Sequence, residues 1–205
     1  MPMRIRAGVL AALAVTGLAL GATLATPAQA APKAPGFLKA ADLPPHPSSS
    51  WTAGKVTRGA GEAGLGVCVR AGVPAHASAW HREFRTDLET SARQVTVVLP
   101  DTKAAKNLVS RLNKDMKSCA ARIEKADPGT EATGKDYGKL SVEEGAHVYG
   151  LETETSYGAL DVSLLAVGRD GRTVTVVDWG QMGDLGSAPV KAFKKTTTTA
   201  VNRLH

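Results

Sequence analysis

Two cysteines carry the most reactive side chains in this chain of 205 residues: Cys68 in GVCVR and Cys119 in NKDMKSCAARIEK. Three chemistries are open to them: buried free thiols, a reactive nucleophile, or the two halves of a bridge. Neither sits in a CxxC pair or a cysteine-protease motif, which disfavours a nucleophile. The compartment weighs between the other two. MPMRIR is a short basic leader, AGVLAALAVTGLALGATLA is apolar and uncharged, and TPAQA ends on the small residues Ala28 and Ala30. That order predicts a secretory signal peptide over residues 1–30, cut between Ala30 and Ala31. The rival is a retained membrane anchor, because the apolar run approaches the length of a spanning helix. Pro27 and the small-residue site favour cleavage, and no cysteine follows the run to take a lipid. An exported chain meets oxidising conditions, where two cysteines usually pair. A Cys68–Cys119 disulfide is therefore expected.

A second set of candidates lies on strands. ASAWHREFRTD alternates so that His81, Glu83 and Arg85 share one face while Trp80, Arg82 and Phe84 share the other. Further on, Asp161 and Ser163 alternate with Leu160, Val162 and Leu164. Gathered on one open sheet face with Thr96, Thr173 and Thr175, these groups would offer charge and hydrogen bonds to a polar ligand in a cleft. The plainer reading of the same pattern is a solvated sheet face.

The remaining chemistry is thin. The chain has no G-x-S-x-G elbow, no S-x-x-K and no H-E-x-x-H. GAGEAGLG has the glycines of a phosphate loop but lacks the Gly-Lys-Ser/Thr ending and does not join a strand to a helix. His46, His76, His81, His147 and His205 show no ligand spacing, so neither a metal nor a cofactor is expected. Glu143 and Glu144 in SVEEGA read as a polar turn rather than an acid–base pair. Trp80, Tyr149 and Trp179 read as sheet packing. The leader holds two arginines and no acid, so its removal takes the formal net charge from +6 to +4. A mildly basic, mixed surface does not point to nucleic acid, which calls for a clustered basic face.

These residues need elements to position them. Residues 31–50 read as a Pro/Ser-rich linker with one short helical turn at FLKAADL, where Phe37, Leu38 and Leu43 can dock. Residues 53–66 read as loop. ASAWHREFRTD and SARQVTVVLP form a hairpin through DLET, with Val95, Val97 and Leu99 on one face. DTKAAKNLVSRLNKDMKSCAARIEK reads as one helix capped by Asp101, with Leu108, Leu112, Met116, Cys119 and Ile123 on one stripe. DPGTEATGKD ends it. Four strands follow, in KLSVEE, HVYGLETET, LDVSLLAVG and TVTVVDWG, the last two joined by an Asp170-Gly171 turn. A final helix starts near Ser187 and Pro189 and carries Val190, Phe193, Thr197, Val201 and Leu204 on its apolar stripe. The layout predicts an α+β fold over residues 51–205: an antiparallel β-sheet with helices packed on one face, in a single domain.

Four of these pieces also resemble a known family. FLKAADLP, a cysteine about thirty residues on, VTVVLPDTKAAKNLVSRLNKDMKSCAA and LDVSLLAVGRDGRTVTVVDWG are similar to the PknH-like extracellular sensor domain of actinobacteria, over most of residues 36 to 204. That module occurs as the outer domain of a membrane serine/threonine kinase and as stand-alone exported proteins. The resemblance implies an α+β fold, a cleft for an unidentified ligand and no catalysis. Two departures stand out. Kinase-linked members carry more than one disulfide, whereas this chain can make one, and the mature sequence holds no kinase or spanning segment to signal through.

The expectation is thus a secreted, monomeric, non-catalytic sensor-like or ligand-binding domain. It would take a small or cell-wall-derived ligand near His81, Glu83, Arg85, Asp161 and Ser163, with no nucleic acid and no stable membrane insertion. The alternatives are a secreted protein-interaction module without a cleft, and a hydrolase whose residues converge only in space.

Overall fold

The computed structural model describes residues 33–70 and 72–205, so the leader at residues 1–30 lies outside the described residues. Alternating and β-branched runs build an eight-stranded sheet. Its strands are β1 (Thr52–Ala53), β2 (Thr57–Arg58), β3 (Ser78–Arg85), β4 (Ser91–Val98), β5 (Thr130–Leu140), β6 (Ala146–Thr155), β7 (Leu160–Asp170) and β8 (Thr173–Met182). They lie in the order β1-β3-β4-β8-β7-β6-β5, with β2 also on β3, and every pairing is antiparallel. Three helices accompany the sheet: α1 (Thr102–Lys117), α2 (Cys119–Ala126) and α3 (Val190–Asn202). The described residues form one compact unit of the α+β class, as the element order predicts.

The helices divide between the two faces of the sheet, where one covered face is the expectation from sequence. On one face, Val95, Val97, Leu165, Val167, Val174 and Val176 pack with Leu108, Leu112 and Met116 of α1 and with both cysteines. On the other, Phe84, Val162, Leu164, Ala166, Val177 and Trp179 pack with Phe193 and Ala200 of α3 and with Leu38 and Leu43. The cause is visible in β7. Leu164, Leu165, Ala166 and Val167 are all buried, so both sides of the strand are apolar and both need cover. Gly168 lets α3 come close, since a Cβ there would lie 2.2 Å from Val201 Cγ2.

The N-terminal segment that reads as a linker is part of this cover. Leu38 is fully buried; its N–H donates to Gln94 Oε1 (2.7 Å) and its carbonyl accepts from Arg82 Nη1 (2.9 Å). The Ala40–Asp42 helical turn follows, and Asp42 pairs with Arg203 at 2.8 Å.

Three other elements depart from expectation; the first is β2 (Thr57–Arg58), inside a stretch that reads as loop. The helix from Asp101, whose carboxylate accepts from the Ala104 N–H at 2.7 Å, does not run unbroken to Lys125. It divides at Ser118 (φ −99°, ψ 8°). The Ser118 hydroxyl donates to the Lys114 carbonyl (3.1 Å), and Arg122 donates to the carbonyls of Asp115 (2.8 Å) and Cys68 (2.7 Å). Side chains that compete for helix carbonyls favour such breaks. The break lets α2 lie against β5. That strand occupies Thr130–Leu140, while SVEEG, which reads as the end of a strand, is a turn with Glu143 at φ 42°. TEATGKDYGKL has glycines and charges where strand formers are usual, because β5 is an edge strand that pairs with β6 alone.

Cys68 and Cys119 are bonded, with their Cα atoms 5.2 Å apart and 51 residues of separation. Both are buried against α1 and the sheet. Among the described residues no helix is long and apolar enough to cross a membrane. In the chain-entropy picture a loop of this length contributes about 4 kcal/mol. The double variant Cys68→Ala/Cys119→Ala should therefore unfold in urea with about 3–4 kcal/mol less stability than the oxidised protein. An unchanged urea midpoint would show that the bridge does not stabilise the fold.

Candidate functional site

Antiparallel register stacks the first face of the sheet into rows. His81, Val95, Val176 and Val167 form one row on β3, β4, β8 and β7, and it belongs to the core beneath α1. The next row is Glu83, Arg93, Asp178 and Leu165, and the one after it is Arg85, Ser91, Gly180 and Ser163. Apolar packing thus gives way to charge within two residues of each strand. These two rows line a cleft of about 720 Å³. Phe84, Ala92 and Trp179 between these rows, Thr52, Ala53 and Gly54 at the β1 edge, and Ala63 and Val67 from the glycine-rich segment complete its lining.

The central feature of the cleft is an ion pair. Arg93 Nη2 donates to Asp178 Oδ2 at 2.9 Å, and the two side chains are 10% and 20% exposed. Only half of each group is used. Arg93 Nη1 and Asp178 Oδ1 are buried and have no hydrogen-bond partner among the described residues. Burial pushes the Asp178 carboxyl up from its ordinary pKa, and the Arg93 charge and hydrogen bond oppose that shift. Both effects are expected where carboxylate and guanidinium leave water together.

The glycine-rich segment is fitted to this pair. Gly66 has φ 125°, and a Cβ on it would lie 3.0 Å from Asp178 Oδ2 and 3.1 Å from Oδ1. Glycine meets both demands, left-handed backbone and close approach to a carboxylate. The segment is tied down on either side: the Gly59 N–H donates to the Ala79 carbonyl at 2.8 Å, and Cys68 is held in the disulfide. Of the four glycines in GAGEAGLG, Gly66 thus packs over an acid and Gly61 over the His81 ring.

Of the residues singled out from sequence, Glu83, Arg85 and Ser163 line the cleft. His81 does not; its Nδ1 donates to the Gly59 carbonyl at 3.0 Å and its ring packs beneath Gly61. Asp161 is exposed opposite Met182, beyond the cleft lining. Thr96, Thr173 and Thr175 lie on the other face. There Gln94 Nε2 donates to Thr175 Oγ1 (3.2 Å), under the N-terminal segment. Alternation assigns faces within one strand; only register relates the faces of different strands.

Arg93 and Asp178 escaped the sequence reading. Their signal was a charge inside each of two buried strands, in the parity of Val95 and Val97 on β4 and of Val174 and Val176 on β8. Charged side chains are almost never buried unless paired.

A second polar cluster sits on β5 and β6, away from the cleft. His147 Nε2 contacts Asp136 Oδ1 at 2.5 Å, and the His147 ring stacks on Tyr149 with centroids 4.4 Å apart. The His147 hydrogen bond holds the Asp136 carboxyl below its usual range. Burial, helped by the Asp136 charge, pushes the Tyr149 phenol up to about 12, and its hydroxyl donates to Asn113 Oδ1 at 3.0 Å. Among the described residues no three His, Cys, Asp or Glu side chains gather as a metal site. No protein-family model, curated protein or solved structure matches this chain.

Single replacement of either ion-pair member leaves the other charge buried alone. Arg93→Met and Asp178→Leu should each lose about 3–5 kcal/mol of unfolding free energy, and the double variant should lose less than either. Urea unfolding checks this; additive losses would deny the coupling. The sign with pH follows from the raised Asp178 pKa. A carboxyl shifted upward on folding adds stability below its unfolded value of about 3.9, and that stability is lost as pH rises through the folded value. The stability of the native protein relative to the double variant should fall as pH is raised from about 3 through the acid range. A rising difference would contradict it.

Proposed function

We propose that this chain is an exported, non-catalytic, sensor-like domain that binds a small or cell-wall-derived ligand in the cleft over Glu83, Arg93, Asp178 and Ser163. One observation carries the reading: a buried ion pair, half unsatisfied, borders a cleft large enough for a small molecule. Purely as packing, the pair is a poor solution. Desolvation costs several kcal/mol per ion, and apolar side chains of similar volume often serve as well or better. Convergent polar groups among apolar walls are what small-ligand sites require. The basic leader, apolar run and small-residue cut motif support export.

The protein-interaction alternative has less support. The β5 edge, where a partner strand could add, carries Lys135, Asp136 and Lys139 and a bulge between Asp136 and Gly138. Charges and bulges are devices that discourage strand addition. The hydrolase alternative rests on the raised pKa of Asp178 in a cleft. Arg93 holds one oxygen of that carboxylate, and Gly66 lies against both. That arrangement suits recognition better than proton delivery.

Thermal unfolding of the disulfide-bonded protein against peptidoglycan fragments, sugars, lipids, nucleotides and divalent metals tests the proposal. A ligand at a hundred times its dissociation constant adds about 2.7 kcal/mol, which raises the midpoint of a domain this size by roughly 5 to 10 °C. The rise should be selective for one class and absent from Arg93→Met/Asp178→Leu. A rise that survives in that variant would move the site elsewhere.

A further inference from the structure

We propose that the outer face of α1 binds a linear anionic polymer, one that carries phosphate or carboxylate groups along its length. This surface is separate from the cleft and does not rest on the binding reading above. Helical periodicity gathers Lys103, Lys106, Arg111, Lys114 and Lys117 within an arc of about 140°, on a row about 21 Å long. All five are exposed. Among the described residues Lys103, Lys106, Arg111 and Lys114 take part in no ion pair, and Lys117 makes one, with Asp136 at 3.8 Å. The acids close by in sequence are engaged elsewhere. Asp101 accepts from the Ala104 N–H at 2.7 Å as the helix cap. Asp115, the only acid within α1, accepts from the Arg70 N–H at 3.1 Å.

The fold does not call for this pattern. A helix face that only meets water usually mixes signs, with acids three or four residues from bases. Here Lys103 and Lys106, Arg111 and Lys114, and Lys114 and Lys117 are like charges at that spacing, and each pair weakens the helix. Lys103 also stands in the first turn, where the helix dipole disfavours a cation. A polyanion along the row relieves all of these together. A groove of about 610 Å³ beside the row favours a polymer over a lipid surface. Its lining includes Asn107, Ser110 and Arg111 of α1 and Pro74 and Ala75 from the segment before β3. A thread-like chain can set its neutral units against these side chains while its charges follow the lysines; a flat surface reaches only the crest of the helix. Nor does α1 offer lipid an apolar anchor, since the large hydrophobic side chains exposed among the described residues are Val56, Val67, Leu88, Tyr157 and Met182. No aromatic residue lies on α1 or lines the groove to stack a base, which sets nucleic acid aside.

Fluorescence-anisotropy titration of labelled polyphosphate and polyglutamate with the disulfide-bonded protein tests the proposal. At least one should bind, and a preference between them names the anion. Affinity should fall about 50-fold between about 50 and 200 mM salt, as the release of about four counterions requires. Lys106→Gln/Lys114→Gln should bind more weakly and reduce the slope of log affinity against log salt by about 1 to 2. Lys191→Gln/Lys195→Gln removes the same charge from exposed positions on α3 and should bind like the native protein. All four positions are exposed, so both variants keep the fold, and circular dichroism checks it. Equal weakening by the two variants would reduce the binding to net charge and overturn the proposal. Absence of binding to either polymer at about 50 mM salt, where counterion release favours it most, would also overturn it. Binding to phosphatidylglycerol vesicles but to neither polymer would overturn it as well and assign the face to a membrane surface.

Discussion

Strands β4, β7 and β8 are buried on both faces, and the rest of the architecture answers that demand. A sheet covered on one side only would leave either the Val95–Val176 layer or the Leu164–Trp179 layer in water. At about 25 cal/mol per Å² of apolar surface, either exposure would outweigh the net stability of a domain. The chain supplies cover from both ends. The segment around Leu38 and helix α3 close one face, and they are fastened to each other by Asp42 with Arg203 and by the Thr196 hydroxyl on the Asp42 carbonyl. Helices α1 and α2, with the cysteine bridge, close the other.

The second cover is shorter than the sheet, and the cleft lies where it stops. The rows beneath α1 hold valines on β4 and β8; the next rows hold Glu83, Arg93, Asp178, Arg85 and Ser163. Had those positions been apolar, a loop could have sealed the end as ordinary core. Their polarity keeps the end open, and Gly66 admits a close approach of the segment to Asp178. Site and core are thus consecutive rows of one sheet, differing in side chains and not in backbone.

Much of this is legible in the sequence. The hairpin through DLET, strands β6 to β8, the Asp170-Gly171 turn, the C-terminal helix and the docking of Phe37, Leu38 and Leu43 all follow from local patterns that the packing reinforces. What stayed hidden depended on partners distant in sequence. Strand β5 has almost no strand signature, because β6 and α2 hold it in place. The break at Ser118 depends on Arg122 reaching the Cys68 carbonyl, about fifty residues back. The second covered face was written in the unbroken run Leu164–Val167, which reads equally well as one strong face. Glu83, Arg85 and Ser163 were visible by alternation alone, whereas Arg93 and Asp178 gain their meaning only once β4 lies beside β8.

The bridge also matters differently for fold and for site. The sheet is joined strand to strand by its own hydrogen bonds, so its topology does not hang on the disulfide. The stretch from Gly59 to Ala77, by contrast, has no helix or strand among its described residues. Its ties are the Gly59 contacts with Ala79 and His81, the buried Leu65, the disulfide, and the bonds from Arg122 to the Cys68 carbonyl and from the Arg70 N–H to Asp115. The last three ties all lead to the junction of α1 and α2. A helix running straight through Ser118 would turn Arg122 and Cys119 away from Cys68, and the Ala63–Val67 side of the cleft would lose its anchor. The helix break that local sequence does not announce is therefore what connects the cysteine pair to the cleft.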